Sequence, residues 1–106
     1  KRNKKILVNL ALNYGSKKEL VNTIKKIKLK KITENNVKNN LYTKNIPDPD
    51  VLIRTGGKKR LSNFMLWQLA YTELYFLDKL WPDFTPGDLN TIIKQFYKTK
   101  RNYGGI

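Results

Sequence analysis

Two short runs in this chain read as β-strands, and each is followed by helical patterns instead of a hairpin turn. The first is ILVNLAL, residues 6–12, rich in branched apolar side chains; the second is VLI, residues 51–53. The order strand, helices, strand, helices calls for an α/β fold with a parallel sheet. A parallel sheet needs cover on both faces and more strands than two. Residues 1–106 are therefore expected to form a single partial domain, one part of a parallel sheet flanked by helices. At this length the margin of stability is thin.

The helices have readable ends. Ser16 and Glu19 stand at capping-box spacing, which predicts a helix start at Ser16, continued by Leu20, Val21, Ile24 and Ile27. Lysines close it, as suits a helix carboxyl end. Thr33 is expected to cap a short second helix carrying Val37 and Leu41. The segment IPDPD, residues 46–50, is a stiff turn, because two prolines cannot sit inside a helix. Residues 63–81 read as one long helix, apolar around most of its circumference and so buried on several sides or packed on another subunit. Pro82 should stop it. Thr85 with Pro86 starts the last helix, whose apolar stripe is Leu89, Ile92, Ile93, Phe96 and Tyr97. No repeat or low-complexity linker appears.

Composition narrows the chemistry. The chain has no cysteine and no histidine, which removes disulfides, thiolate metal sites and the commonest general base. Its net charge of +14 implies an anionic partner. The excess is mostly lysine scattered among asparagines, which favours a generally basic surface over a dedicated nucleic-acid face. Such a surface steers anionic ligands or anionic lipid headgroups. No apolar run reaches the ~20 residues of a membrane span and no secretory signal is visible, so a cytoplasmic setting is expected.

Against that lysine background, two of the four arginines fall in RTGGKKRLSN, residues 54–63. This stretch joins a strand end to the start of the expected long helix. Ligands of open α/β sheets bind beyond the carboxyl ends of strands, and a helix amino terminus attracts anions. Arg54 at the strand end and Arg60 before the expected cap, Ser62, can face one space, and arginine forks suit phosphate oxygens. Together they fit a diphosphate. The alternative is a connecting loop whose arginines pair with surface acids, of which the chain has eight. The spacing is not that of a Walker loop. Glu73 is the other feature, a carboxylate within an apolar segment that needs a partner or a metal. Eleven residues of helix from Ser62 rise ~16 Å, so Glu73 should serve a site assembled with another chain or segment, or else be hydrogen-bonded in a helix interface.

The run PDPDVLIRTGGKKRLSNFMLWQLAYTELYFLDKLWPDF, residues 47–84, resembles the carboxyl-terminal half of the cis-prenyltransferases, the undecaprenyl diphosphate synthase family. LALNYGSKKELV, LYTKNIPDPD and the closing NYGGI are similar to the same family. The resemblance implies condensation of isopentenyl diphosphate onto an allylic, farnesyl-type diphosphate with cis geometry, a need for Mg2+, and a homodimer, here through the helix expected over residues 63–81. It implies that Arg54, Arg60 and Ser62 hold the diphosphate of isopentenyl diphosphate, that Glu73 is linked to the metal, and that Asn13 and Tyr14 line the cleft. The amino-terminal strands and helices of the family, with their magnesium-binding aspartate and allylic-diphosphate loop, have no counterpart here. Lys58 and Lys59 replace an acidic and a polar residue, and Asn102 stands where the family has an arginine, with Arg101 one place earlier. The other readings are a non-catalytic subunit of an active partner, and a basic nucleic-acid binder. The latter is disfavoured because the aromatics are not interleaved with the lysines.

Overall fold

The computed structural model describes residues 6–27 and 32–101. Helix α1, Ser16–Lys26, and the short α2, Glu34–Asn40, pack together. Strands β1, Val51–Arg54, and β2, Glu73–Phe76, form a two-stranded sheet, and α3, Pro86–Lys98, follows a 3-10 turn at Trp81–Asp83. The strands run parallel with Val51 beside Glu73 and Arg54 beside Phe76. This is the α/β arrangement expected, a piece of parallel sheet with helices around it.

Three local expectations hold. Thr33 caps α2 by accepting the Asn36 N–H. Thr85 caps α3, with Pro86 at its first position and a reciprocal box: the Thr85 hydroxyl accepts from Asp88 N–H, and the Asp88 carboxylate accepts from Thr85 N–H. Asp88 also binds Lys79 Nζ at 2.7 Å, and this partner first, with the cap behind it, holds its carboxyl below the usual range. Arg101 fastens the end of the described chain to the sheet. It binds Asp50 Oδ1 at 2.8 Å and the Tyr71 carbonyl at 2.9 Å, and its guanidinium lies 5.1 Å from the Phe96 ring centre. Asn102 and the closing glycines lie outside the described residues.

Three expectations are corrected. Residues 63–81 are not a helix. Residues 61–72 make a series of turns, and β2 follows. Ser62, Asn63 and Met65 have φ of 49°, 64° and 48°, and the left-handed region ends any right-handed helix. ELYF, with its two aromatic residues, then pairs as a strand, which an apolar run without clear periodicity allows equally well. Residues 6–12 pair with no strand among the described residues. Leu10 and Leu12 are 80% and 81% exposed, since a buried strand needs neighbours on both sides. Finally, Gly15, not Ser16, is the amino cap of α1, with no side-chain cap bond. Ser16 is the first helical residue, and its hydroxyl accepts the Leu66 N–H at 2.9 Å.

The face α1 turns inward is polar. Ser16, Glu19 and Thr23 are fully buried, while Val21 and Ile24 are more than half exposed. Glu19 gathers donors from three other places: the Tyr14 hydroxyl, the Tyr42 N–H at 2.8 Å and the buried Gln68 amide at 3.2 Å. Gln68 also donates to Thr43 Oγ1 at 3.0 Å, and Thr23 donates to the Asn40 carbonyl. Leu41, Leu69 and Ile92 are the buried apolar side chains among the described residues. With so little apolar burial, the Glu19 network carries much of the specificity. Glu19→Ala takes the acceptor from one buried donor, Gln68, and two part-buried ones, Tyr14 and Tyr42, and should cost about 3 kcal/mol, with Glu19→Gln in between. Urea denaturation checks this, and a midpoint unchanged by Glu19→Ala would contradict it.

Candidate functional site

Arg54 ends β1 and reaches across the loop that leaves it. Its Nη1 donates to the Arg60 carbonyl and, at 2.9 Å, to Ser62 Oγ. Because Ser62 accepts from Arg54, its own O–H proton is left to donate outward. Arg60 and Ser62 are exposed, as are Lys58 and Lys59. Among the described residues, the ion pairs within 4 Å join Lys79 to Asp88 and Arg101 to Asp50, and neither takes Arg54 or Arg60. The structure thus brings Arg54, Arg60 and Ser62 together in one short loop beyond the carboxyl end of β1.

The surrounding geometry differs from the sequence expectation in two ways. Gly56 and Gly57 adopt φ of 95° and 79°, which an L side chain resists. Their N–H groups donate to the Lys79 and Leu77 carbonyls at 2.7 and 2.9 Å, so they knit the loop to the segment after β2 and do not face a ligand. Ser62 caps no helix, and no helix dipole points at the loop from residue 63 onward. The helix start that does lie nearby is that of α1. Its Ser16 and Lys17 N–H groups are taken by the Asn63 carbonyl at 2.7 Å and Asn63 Oδ1 at 2.8 Å. The positive field of the loop therefore comes from side chains, four cations within residues 54–60.

Asn13 and Tyr14 sit where the other side of this region begins. Asn13 is exposed with φ of 51°. The Tyr14 ring packs edge-on to Phe64 at 5.6 Å and to Tyr42 at 6.3 Å. Both residues line an open cleft of about 480 Å³ together with Lys18, Phe64 and Met65. Phe64 and Met65 come two and three residues after Ser62, so the cleft and the basic loop adjoin.

Glu73 is not brought to this loop. It opens β2, half-buried, three register positions from the level of Arg54 and so roughly 10 Å along the strands. Its N–H continues the ladder to the Asp50 carbonyl at 3.0 Å. Among the described residues, no group of three acidic, histidine or cysteine side chains is placed to hold a metal ion. One carboxylate at the far end of the strand pair does not make a magnesium site with Arg54 and Arg60 of the same chain.

Sequence reasoning passed over Asn63 and Gln68, and gave Glu19 a capping role where the fold gives it a buried network. The signal for Glu19 was the spacing Ser16, Glu19, Thr23, which places three polar side chains along one helical face. Nothing in a single sequence marks Asn63 as the partner of a helix 46 residues away.

A parallel strand pair with a basic loop beyond its carboxyl end places the chain among open-sheet α/β proteins. A family model described as putative undecaprenyl diphosphate synthase matches residues 1–104, and the chain belongs to that family of prenyltransferases. It is 44% identical to an isoprenyl transferase of Oceanobacillus iheyensis, with all of this chain and 46% of the relative covered. It is 52% identical to one of Helicobacter pylori, over 92% of this chain and 45% of the relative. Its fold is similar to the crystal structure of a probable undecaprenyl diphosphate synthase from Campylobacter jejuni. That match has a TM-score of 0.80 and 38% identity, covering 89% of this chain and 45% of the other. The chain spans somewhat under half the length of these relatives.

Tyr14 offers a test of the local geometry. Burial, and then its bond to the Glu19 carboxylate, push its hydroxyl up to about 12. An unfolded tyrosine loses its proton near 10, so the native state binds that proton more tightly between about pH 10 and 12. Stability should fall as pH rises through that window, and Tyr14→Phe should remove this part of the fall. An unfolding series across pH 9 to 12 reads it; identical slopes for the two proteins would contradict the assignment.

Proposed function

We propose that this chain supplies the isopentenyl diphosphate-binding portion of a cis-prenyltransferase that elongates a farnesyl-type allylic diphosphate to polyprenyl diphosphate. The observation that carries the proposal is the Arg54 fork held onto Ser62 with Arg60 exposed beside it. Two guanidinium groups and a hydroxyl proton match the oxygens of one diphosphate. Lys58 and Lys59 add attraction without fork geometry. In the reaction, the allylic C–O bond breaks and its diphosphate leaves. The isopentenyl double bond then attacks the allylic carbon, and a proton is lost to form the new double bond. Holding the isopentenyl diphosphate by its charged end orients the attacking bond.

The chain's own residues supply one diphosphate cradle, so turnover is proposed to need the rest of the fold. Mg2+ enters the proposal only through Glu73 at a site completed by another chain or segment, as its distance from Arg54 requires. Homodimerisation is proposed through residues 63–81 in their turn-and-strand form, where Tyr71, Leu74 and Trp81 are exposed. A cytoplasmic setting with peripheral contact to anionic membrane is part of the same reading, supported by the +14 charge. No helix among the described residues is long and apolar enough to cross a membrane.

Calorimetric titration of the chain with isopentenyl diphosphate, with and without Mg2+, tests the proposal. Saturable binding that weakens at least tenfold in Arg60→Ala is expected, about 1.4 kcal/mol or more for a charge-assisted contact. Equal heats for both proteins would contradict it.

A further inference from the structure

Asn63 is the residue through which the basic loop meets α1, and it does so twice. Its carbonyl accepts the Ser16 N–H at 2.7 Å and its Oδ1 accepts the Lys17 N–H at 2.8 Å. These are two of the donors a helix start leaves without intrahelical partners. A third bond, Leu66 N–H to Ser16 Oγ at 2.9 Å, closes the same contact. Asn63 holds φ of 64°, a region that asparagine tolerates better than most residues. Gly15 makes the approach feasible, since a Cβ there would stand 2.9 Å from Asn63 Nδ2.

On the other side, Arg54 pulls the same segment toward the sheet through the Arg60 carbonyl and Ser62 Oγ. Residues 60–62 are thus anchored at both ends, to β1 by Arg54 and to α1 by Asn63. From this we infer that Asn63 is a positioning residue for the proposed diphosphate site, setting the direction of Arg60 and Ser62 by tying their segment to the start of α1. By filling the Ser16 and Lys17 N–H groups, it also keeps the helix end from competing with the arginines for the anion. The inference rests on the diphosphate reading of that loop.

Inorganic diphosphate is the probe, titrated into the 106-residue chain, Asn63→Ala, Asn63→Ser and Arg60→Ala. Asn63→Ala loses a capping acceptor, and binding should weaken about fivefold. Asn63→Ser keeps a short acceptor oxygen and should recover most of that loss, which a general loss of stability would not explain. Wild-type affinity in Asn63→Ala, or no recovery in Asn63→Ser, overturns the inference while leaving the diphosphate site standing. If the wild-type chain binds no diphosphate, the site reading itself fails. The anchor of residues 60–62 to α1, on which the positioning depends, is read separately without ligand, from amide exchange in the wild type and Asn63→Ala. Faster exchange at Ser16, Lys17 and residues 61–62 in the variant supports the anchor, and unchanged exchange overturns it.

Discussion

The Glu19 carboxylate accepts hydrogen bonds from the Tyr14 hydroxyl, the Tyr42 backbone and the Gln68 amide. Those donors come from the turn before α1, the segment after α2 and the turns that precede β2. A buried carboxylate is costly unless its oxygens are satisfied, so the three segments must converge on it in one arrangement. That convergence sets the path of residues 61–72. Once Gln68 is fixed beneath Glu19, the chain between Arg54 and Gln68 has to turn sharply, and the left-handed residues Ser62, Asn63 and Met65 are where it does so.

The same path decides what the basic loop can do. A regular helix beginning at Ser62 would have presented its end to an anion. The turns instead bring Asn63 back to α1 and leave Arg54 and Arg60 as the groups able to meet one. The charge of the loop therefore resides on side chains, two of which, Arg54 and Arg60, have fork geometry. The proposed diphosphate, with several oxygens on adjacent phosphorus atoms, suits those forks better than a single point charge would. Phe64 and Met65, placed by the same turns, give the adjoining cleft part of its apolar wall. The exposed run of residues 6–12 and the outward-facing Val21 and Ile24 give the described part of the molecule apolar surface well beyond what a small isolated domain keeps.

How much of this was legible in the sequence depended on whether the signal was local. The Thr33 and Thr85 caps and the placement of Arg54 at a strand end follow from residues within one turn of each other, and they were readable. The segment 63–81 was not, because an apolar run without clear periodicity suits a buried helix and a strand alike. Its fate was settled by pairing with β1, a contact some twenty residues back in the chain. Ser16 and Glu19 had the spacing of a capping box, but tertiary partners claimed both side chains. Leu66 took the serine, while Tyr14, Tyr42 and Gln68 took the glutamate. The three members of the proposed site came from a pattern of residue types. Their anchoring by Asn63 came only from the fold.

In the proposed function, anions are captured by the geometry of one loop and not by net charge. Amide-resolved NMR during titration with inorganic diphosphate, in moderate salt, tests it most directly. Saturable shifts confined to residues 54–63 are expected, with the lysines of α1 and α3 unmoved. Shifts spread over the lysines in proportion to their exposure, fading together as salt is raised, would contradict it.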